Sequence, residues 1–228
     1  MGVCAIGRMV FVVRAHLYVS EQNSEAGTSL AQALCQIQLL GSLGYTAAHK
    51  STQLHRVGLT SATHMVWYVP KWLAGVSVTA PEEILVSCVD KAVIVSLCPL
   101  TGNRLCVLPV FELGIIKPWH AVCLASDMLA VSTAGPCPRV WLIGRDCSVK
   151  KWYGTSGTGT GQSRSPHCLL PWAVCPGSEN CVLACDCGNN SIVAIDFTHS
   201  QSHVMVSDVS GPCGVAVDIA NRSLFVGE

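Results

Sequence analysis

Few side chains in this sequence stand at spacings that perform chemistry. The stretch YGTSGTGTGQSRSPHCLLPWAV, residues 153 to 174, sets glycines at 154, 157, 159 and 161. A phosphate-cradling loop of the Walker type needs G-x4-G-K-[ST], and a dinucleotide-binding turn needs G-x-G-x-x-G between a strand and a helix. No lysine follows these glycines, and Gly161 leads into QSRSPHCLLP, whose prolines discourage a helix. The stretch therefore reads as punctuation between structural units, with a disordered linker as the alternative.

The remaining candidates are scattered. The eight histidines include no H-E-x-x-H pair, and His199 and His203 have i, i+4 spacing inside THSQSH, which reads as a turn. His120 follows Pro118-Trp119 at the start of an apolar strand and is a candidate to line a channel. One imidazole is not a metal site, however, and no serine lies in a G-x-S-x-G elbow. Cys175, Cys181, Cys185 and Cys187 raise the question of zinc, but they are spaced C-x5-C-x3-C-x-C, without paired C-x2-C knuckles. The other reading of the fourteen cysteines is that they are reduced core thiols, because many sit inside apolar runs such as ILVSCVD and CVLACDC. The remaining cluster is basic. In GRDCSVKKWYG, Arg145, Lys150 and Lys151 stand beside Trp152 and Tyr153, a combination that meets phosphates and stacks on bases in single-strand binders. A solvated outer-strand face is the alternative. No cofactor, metal or small-molecule substrate is expected from these patterns.

Composition limits the elements that position these residues. Half of the 228 residues are hydrophobic, enough for a sizeable core, and 14 basic side chains balance 14 acidic ones. No overall field favours nucleic acid or an anionic membrane. The balance is uneven along the chain: residues 117 to 164 carry six bases and two acids, and residues 165 to 228 carry six acids and only Arg222. No run reaches the roughly 18 to 20 apolar residues of a membrane span. The opening MGVCAIGRMVFVVRAHLYV is interrupted by Arg8 and Arg14, and Ile6 stands where a myristoylation signal has Ser or Thr. A cytoplasmic protein with reduced thiols and no membrane contact is expected.

The chain is organised by repetition. Segments 72 to 95, 118 to 143, 171 to 196 and 212 to 228 share one plan: an aromatic or proline start, a short apolar strand, a polar turn and a second apolar strand (ILVS, MLAVS, CVLAC, SLFVG). All but the last continue into a third (AVIV, RVWLI, SIVAID). With Val76, Val122, Val174 and Val215 as markers, the intervals are 46, 52 and 41 residues. Branched side chains suit pleated surfaces, and the CGNNS turn supplies residues at ease in left-handed conformations. Three or four short strands every 40 to 50 residues is the requirement of a propeller blade.

At this level the sequence resembles the NHL-repeat β-propellers. The glycine run ending in GQ and followed by LLPWAV is similar to that family's linker and following strand. GPCGVAVD, residues 211 to 218, and ACDCGNNSIVAID, residues 184 to 196, are similar to its other signatures. The resemblance covers about 119 to 228, with an extension to Trp72. Ser191 stands where the family often has a basic residue, and Ser132-Thr133 where an aspartate is usual.

The expected fold is thus all-β: an NHL-type β-propeller, incomplete, with about four to five blades of four short antiparallel strands. Blades are placed at 72–117, 118–170, 171–211 and, in part, 212–228. Residues 1–71 form a degenerate first blade, in which TSLAQALCQIQLLG is read as strand although Ser29 and Gln32 have helix-capping spacing. Because the sequence stops at Glu228 after a second strand, an open arc is expected, with strands near Phe11 and Tyr18 as candidates to fill its gap. The resemblance implies a module that binds a protein partner and does not catalyse, such as the target-selecting part of a RING/B-box ubiquitin ligase, although no RING or B-box spacing is visible. An RNA-binding propeller is the alternative, and a metal-dependent propeller lyase or hydrolase the third reading. The partner-binding candidates are Arg145, Lys150, Lys151, Trp152 and His120.

Overall fold

The structure, a computed structural model, describes residues 4–6, 9–11, 36–40, 43–47, 52–58, 64–69, 72–79, 83–124, 127–135, 138–154, 171–176, 181–218 and 222–227. The glycine stretch from 155 to 161, Tyr18, and the capping positions Ser29 and Gln32 lie outside the described residues, as do the side chains of Trp172 and Cys175.

Short strands follow one another as antiparallel meanders. The first sheet has six strands, β1 (Cys4–Ile6), β2 (Met9–Phe11), β3 (Gln36–Leu40), β4 (Leu43–Ala47), β5 (Gln53–Gly58) and β6 (His64–Tyr68), paired in chain order. Three four-stranded sheets come next. They are β7 (Leu73–Thr79), β8 (Glu83–Cys88), β9 (Val93–Leu97) and β10 (Arg104–Leu108); β11 (Pro118–Cys123), β12 (Met128–Thr133), β13 (Arg139–Gly144) and β14 (Val149–Gly154); and β15 (Pro171–Pro176), β16 (Cys181–Asp186), β17 (Ser191–Asp196) and β18 (Gln201–Val206). A two-stranded sheet, β19 (Gly214–Asp218) and β20 (Ser223–Gly227), ends the series. No α-helix occurs among the described residues, and Gln36–Leu40 of the ambiguous QIQLLG run is strand.

The first strands of the last four sheets, β7, β11, β15 and β19, lie side by side, and β3 and β4 approach β7. These strands form the inside of an all-β propeller arrangement. β19 also lies beside β1 and β2, which places the strand ending at Phe11 next to the final sheet.

Alternation along each strand builds a core between each sheet and the next, so that the second, third and fourth sheets are packed on both faces. In the third sheet Ala121, Leu129, Val131, Trp141 and Ile143 pack back onto Leu85, Ile94, Leu108, Val110 and Ile115. Val122, Ala130, Val140, Leu142 and Tyr153 pack forward onto Val174, Val182, Ala184, Val193 and Ile195. Equivalent cores join the first sheet to the second through Leu54, Trp67 and Val86, and the fourth to the fifth through Cys185, Ile192 and Val215. Burial on both faces is why ILVS and CVLAC read as nearly continuous apolar runs. Each fully buried Val, Leu or Ile contributes roughly 1.5–3 kcal/mol.

One marker of the repeat is displaced. Val76, Val174 and Val215 face the preceding sheet, whereas Val122 faces the following one, and Ala121 occupies the equivalent place. A one-residue offset turns a side chain to the other face, and it is Ala121, opposite Val131, that holds the register place of Val76 opposite Val86. The turn between β16 and β17 passes through Asn190 at φ 51°, a left-handed conformation that asparagine tolerates.

Candidate functional site

The sequence candidates lie mainly on the third sheet, and most of them are joined to neighbouring sheets. His120 sits on β11 and is 1% exposed. The main-chain N–H of Val174 on β15 donates to its Nδ1 at 3.3 Å, so the ring proton belongs on Nε2, which donates to the Val76 carbonyl on β7 at 3.3 Å. Its own main-chain N–H donates to Ser132 Oγ at 3.1 Å. One imidazole thereby links three consecutive inner strands. Burial pushes its pKa down to about 4, against the opposing effect of its hydrogen bond to the Val76 carbonyl. Gly75 permits this approach, since a Cβ there would lie 2.6 Å from both His120 Cδ2 and the Trp119 carbonyl. Ser77 Oγ donates to the Ala121 carbonyl at 2.6 Å and ties the same two strands.

Arg145 occupies the turn after β13 and pairs with Glu83 at the start of β8. Glu83 is 8% exposed and also accepts hydrogen bonds from Ser96 and Thr79. Burial alone would raise its pKa, but hydrogen bonds from Arg145 and Ser96 and the guanidinium charge together hold it below the usual value. The Arg145 main-chain N–H donates to the Asp127 carbonyl at 2.9 Å, fixing the turn that presents the guanidinium.

Lys151, on outer strand β14, directs its Nζ to the Phe197 carbonyl, the Thr198 carbonyl at 3.2 Å and Ser200 Oγ at 3.3 Å, all in the turn between β17 and β18. Lys150 points elsewhere and forms an exposed ion pair with Asp146, Nζ to Oδ2 at 3.8 Å. Trp152 is half-buried opposite Trp141, and the Arg139 guanidinium lies 4.0 Å from its ring centroid. The five candidates therefore do not converge on one basic face. His120 is inside, Arg145 and Lys151 span sheet boundaries, Trp152 stacks on Arg139, and Lys150 projects into solvent.

Among the described residues no three His, Cys, Asp or Glu side chains gather as a metal-holding group. Of the cysteines considered for zinc, Cys185 is buried, Cys181 and Cys187 are half-buried, and the side chain of Cys175 is not described.

Sequence reasoning missed Glu83, Ser77 and Gly75. The signal for Glu83 is present in PEEILVSC, where an acid opens a strand that is otherwise apolar apart from one serine. It also missed the difference between outer strands. β14 carries Lys150 and Lys151, whereas β10 exposes Leu105, Cys106 and Val107. Of the large apolar side chains exposed among the described residues, Leu100, Leu105, Val107, Phe111 and Ile116 fall between positions 100 and 116.

No protein-family model matches this sequence, and no curated protein matches it. Solved structures do. A streptogramin B lyase structure superposes with a TM-score of 0.61 at 12% identity, covering 87% of this chain and 63% of that one. U3-55K gives 0.59 at 8% identity, covering 83% and 57%, and the RRP9 WD40 repeats give 0.51 at 10% identity, covering 78% and 52%. The chain thus spans about three-fifths of the length of the first of these and just over half of the others. At these identities the likeness is one of fold, an all-β propeller of antiparallel sheets.

Proposed function

We propose that this chain is a protein-binding scaffold of the propeller type, engaged along outer strand β10 and the segment leading from it to β11. The observation that supports this reading is the exposed apolar series Leu100, Leu105, Val107, Phe111 and Ile116 on and around an outer strand whose far edge pairs with no strand among the described residues. An edge with unpaired main-chain groups and apolar side chains is a template for an extended partner segment. Lysines discourage such pairing, and β14 has two where β10 has none.

The same layout supports binding over catalysis and protein over RNA. The imidazole and two of the cations that chemistry or phosphate contact would need are built into sheet-to-sheet contacts. A role as the target-selecting part of a ubiquitin ligase is a narrower form of this proposal and rests on the NHL resemblance alone. A cytoplasmic location is also part of it and rests on the reading of the cysteines in apolar runs as reduced core thiols. No helix among the described residues is long and apolar enough to cross a membrane.

The test is proximity cross-linking from a photoreactive residue at position 105, with wild-type chain and a Val107→Glu, Phe111→Glu variant of equal stability. The proposal expects discrete protein adducts that disappear in the variant. Adducts unchanged by the variant, or cross-links to RNA alone, would overturn it.

A further inference from the structure

His55 on β5 and His64 on β6 bring Nδ1 and Nε2 to 3.0 Å from each other. Their place in the register explains the meeting. His55 is opposite Val66 and Val57 opposite His64, so the two histidines occupy diagonal positions on one face of adjacent antiparallel strands. Arg56, between His55 and Val57, belongs to the opposite face, where it donates to the Leu100 carbonyl at 2.8 Å and its guanidinium lies 5.8 Å from the Trp67 ring centroid. No guanidinium from that position opposes a cation beside the imidazoles.

The rings are within 6° of parallel, with centroids 5.3 Å apart. That separation is close to the nitrogen gap plus the two ring radii, so the nitrogens face one another edge to edge. In the neutral pair one nitrogen carries a proton and the other accepts it.

We propose that His55 and His64 form a two-imidazole chelate for a transition-metal dication, clipping edge strand β6 to β5. A metal 2.0–2.1 Å from each nitrogen, at an N–metal–N angle between square and tetrahedral, holds the nitrogens about 2.8–3.4 Å apart. The observed 3.0 Å already falls in that range. The rings have only to pivot so that their lone pairs converge, and His64 is exposed and His55 half-buried at the surface. The donor ring keeps its proton by moving it to its other nitrogen, so a neutral pair binds metal without releasing a proton. Imidazole donors select copper, nickel and zinc over magnesium and calcium, and among them Cu2+ binds most tightly. Among the described residues no third His, Cys, Asp or Glu joins the pair.

The experiment is a Cu2+ titration of the full chain with its accessible thiols first blocked by alkylation, followed by calorimetry and electron paramagnetic resonance. Wild type is expected to show a saturable site with two coordinated nitrogens. His55→Asn and His64→Asn should each weaken it by about tenfold or more, because either change removes a direct ligand, while His199→Asn should leave it intact. Thermal unfolding without metal establishes that both variants are folded, and Zn2+ should raise Tm in wild type but in neither variant. A two-nitrogen site that survives in either variant, a one-nitrogen signal, or no saturable binding would overturn the assignment.

Discussion

Val174 donates its main-chain N–H to Nδ1 of His120, so a side chain of the third sheet completes the hydrogen bonding of the fourth sheet's inner strand. That acceptor exists only while the imidazole is neutral. Polar side chains recur in this position between sheets: Glu83 meets Arg145, Ser77 meets Ala121, and Lys151 meets the turn after β17. Apolar cores supply the adhesion between sheets, and these contacts fix how one sheet sits on the next.

Stability should fall with acid in a window set by His120. Its folded pKa is about 4, below the ordinary value of 6.5, so the unfolded chain binds the extra proton between those limits. The contribution is complete above pH 6.5 and is lost as pH falls towards 4, to a total on the order of 3 kcal/mol. Urea unfolding at pH 7.5, 6, 5 and 4.5 measures it. His120→Gln should flatten the profile over this range, and Glu83, held below its own usual value, contributes its loss at lower pH.

Gly75→Ala should cost about 1–3 kcal/mol through overpacking, because the new methyl group meets the Trp119 carbonyl and the His120 ring and only a shift of β7 from β11 relieves it. Denaturant unfolding measures the loss, and an unchanged midpoint would refute the close approach.

Arg145→Met leaves the Glu83 carboxylate buried and without its charge partner. A loss of about 2 kcal/mol or more is expected at pH 7. It should shrink when Glu83 is also replaced by Gln, since the neutral amide needs no counter-charge. Equal losses in the single and double variants would show that the ion pair is incidental.

Thiol chemistry should separate Cys88 from Cys106. Cys88 is fully buried, and burial pushes its pKa up to about 12, so the reactive thiolate is suppressed. Cys106 is exposed on outer strand β10. Brief alkylation of the native protein followed by peptide mass mapping should find Cys106 modified and Cys88 protected.

The repeat was legible because every strand buried on two faces needs an apolar residue at almost every position, and turns such as CGNNS interrupt those runs sharply. The all-β propeller followed from that spacing. The exchange of Val122 for Ala121 was hidden, because both residues are buried and apolar and only the register across β11 and β12 decides which way each faces. The site was less legible. Lys150 and Lys151 are adjacent and identical in sequence, yet the register of β14 skips Lys150, which stays at the surface, and sets Lys151 opposite Leu142, where it reaches carbonyls of the next sheet. His120 was visible as an inner-strand histidine, but its acceptor and donor come from strands 44 and 54 residues away.

That lysine pair offers the most direct test of the claim that these side chains fasten sheets. Unfolding midpoints of Lys150→Met and Lys151→Met should be measured side by side in one buffer. The account predicts asymmetry: Lys151→Met loses about 1 kcal/mol with its bonds to the Phe197 and Thr198 carbonyls, and Lys150→Met stays within about 0.5 kcal/mol of wild type. Equal midpoints, together with equal losses of affinity for single-stranded RNA in both variants, would mean that the two lysines form a phosphate-binding face, contradicting the account.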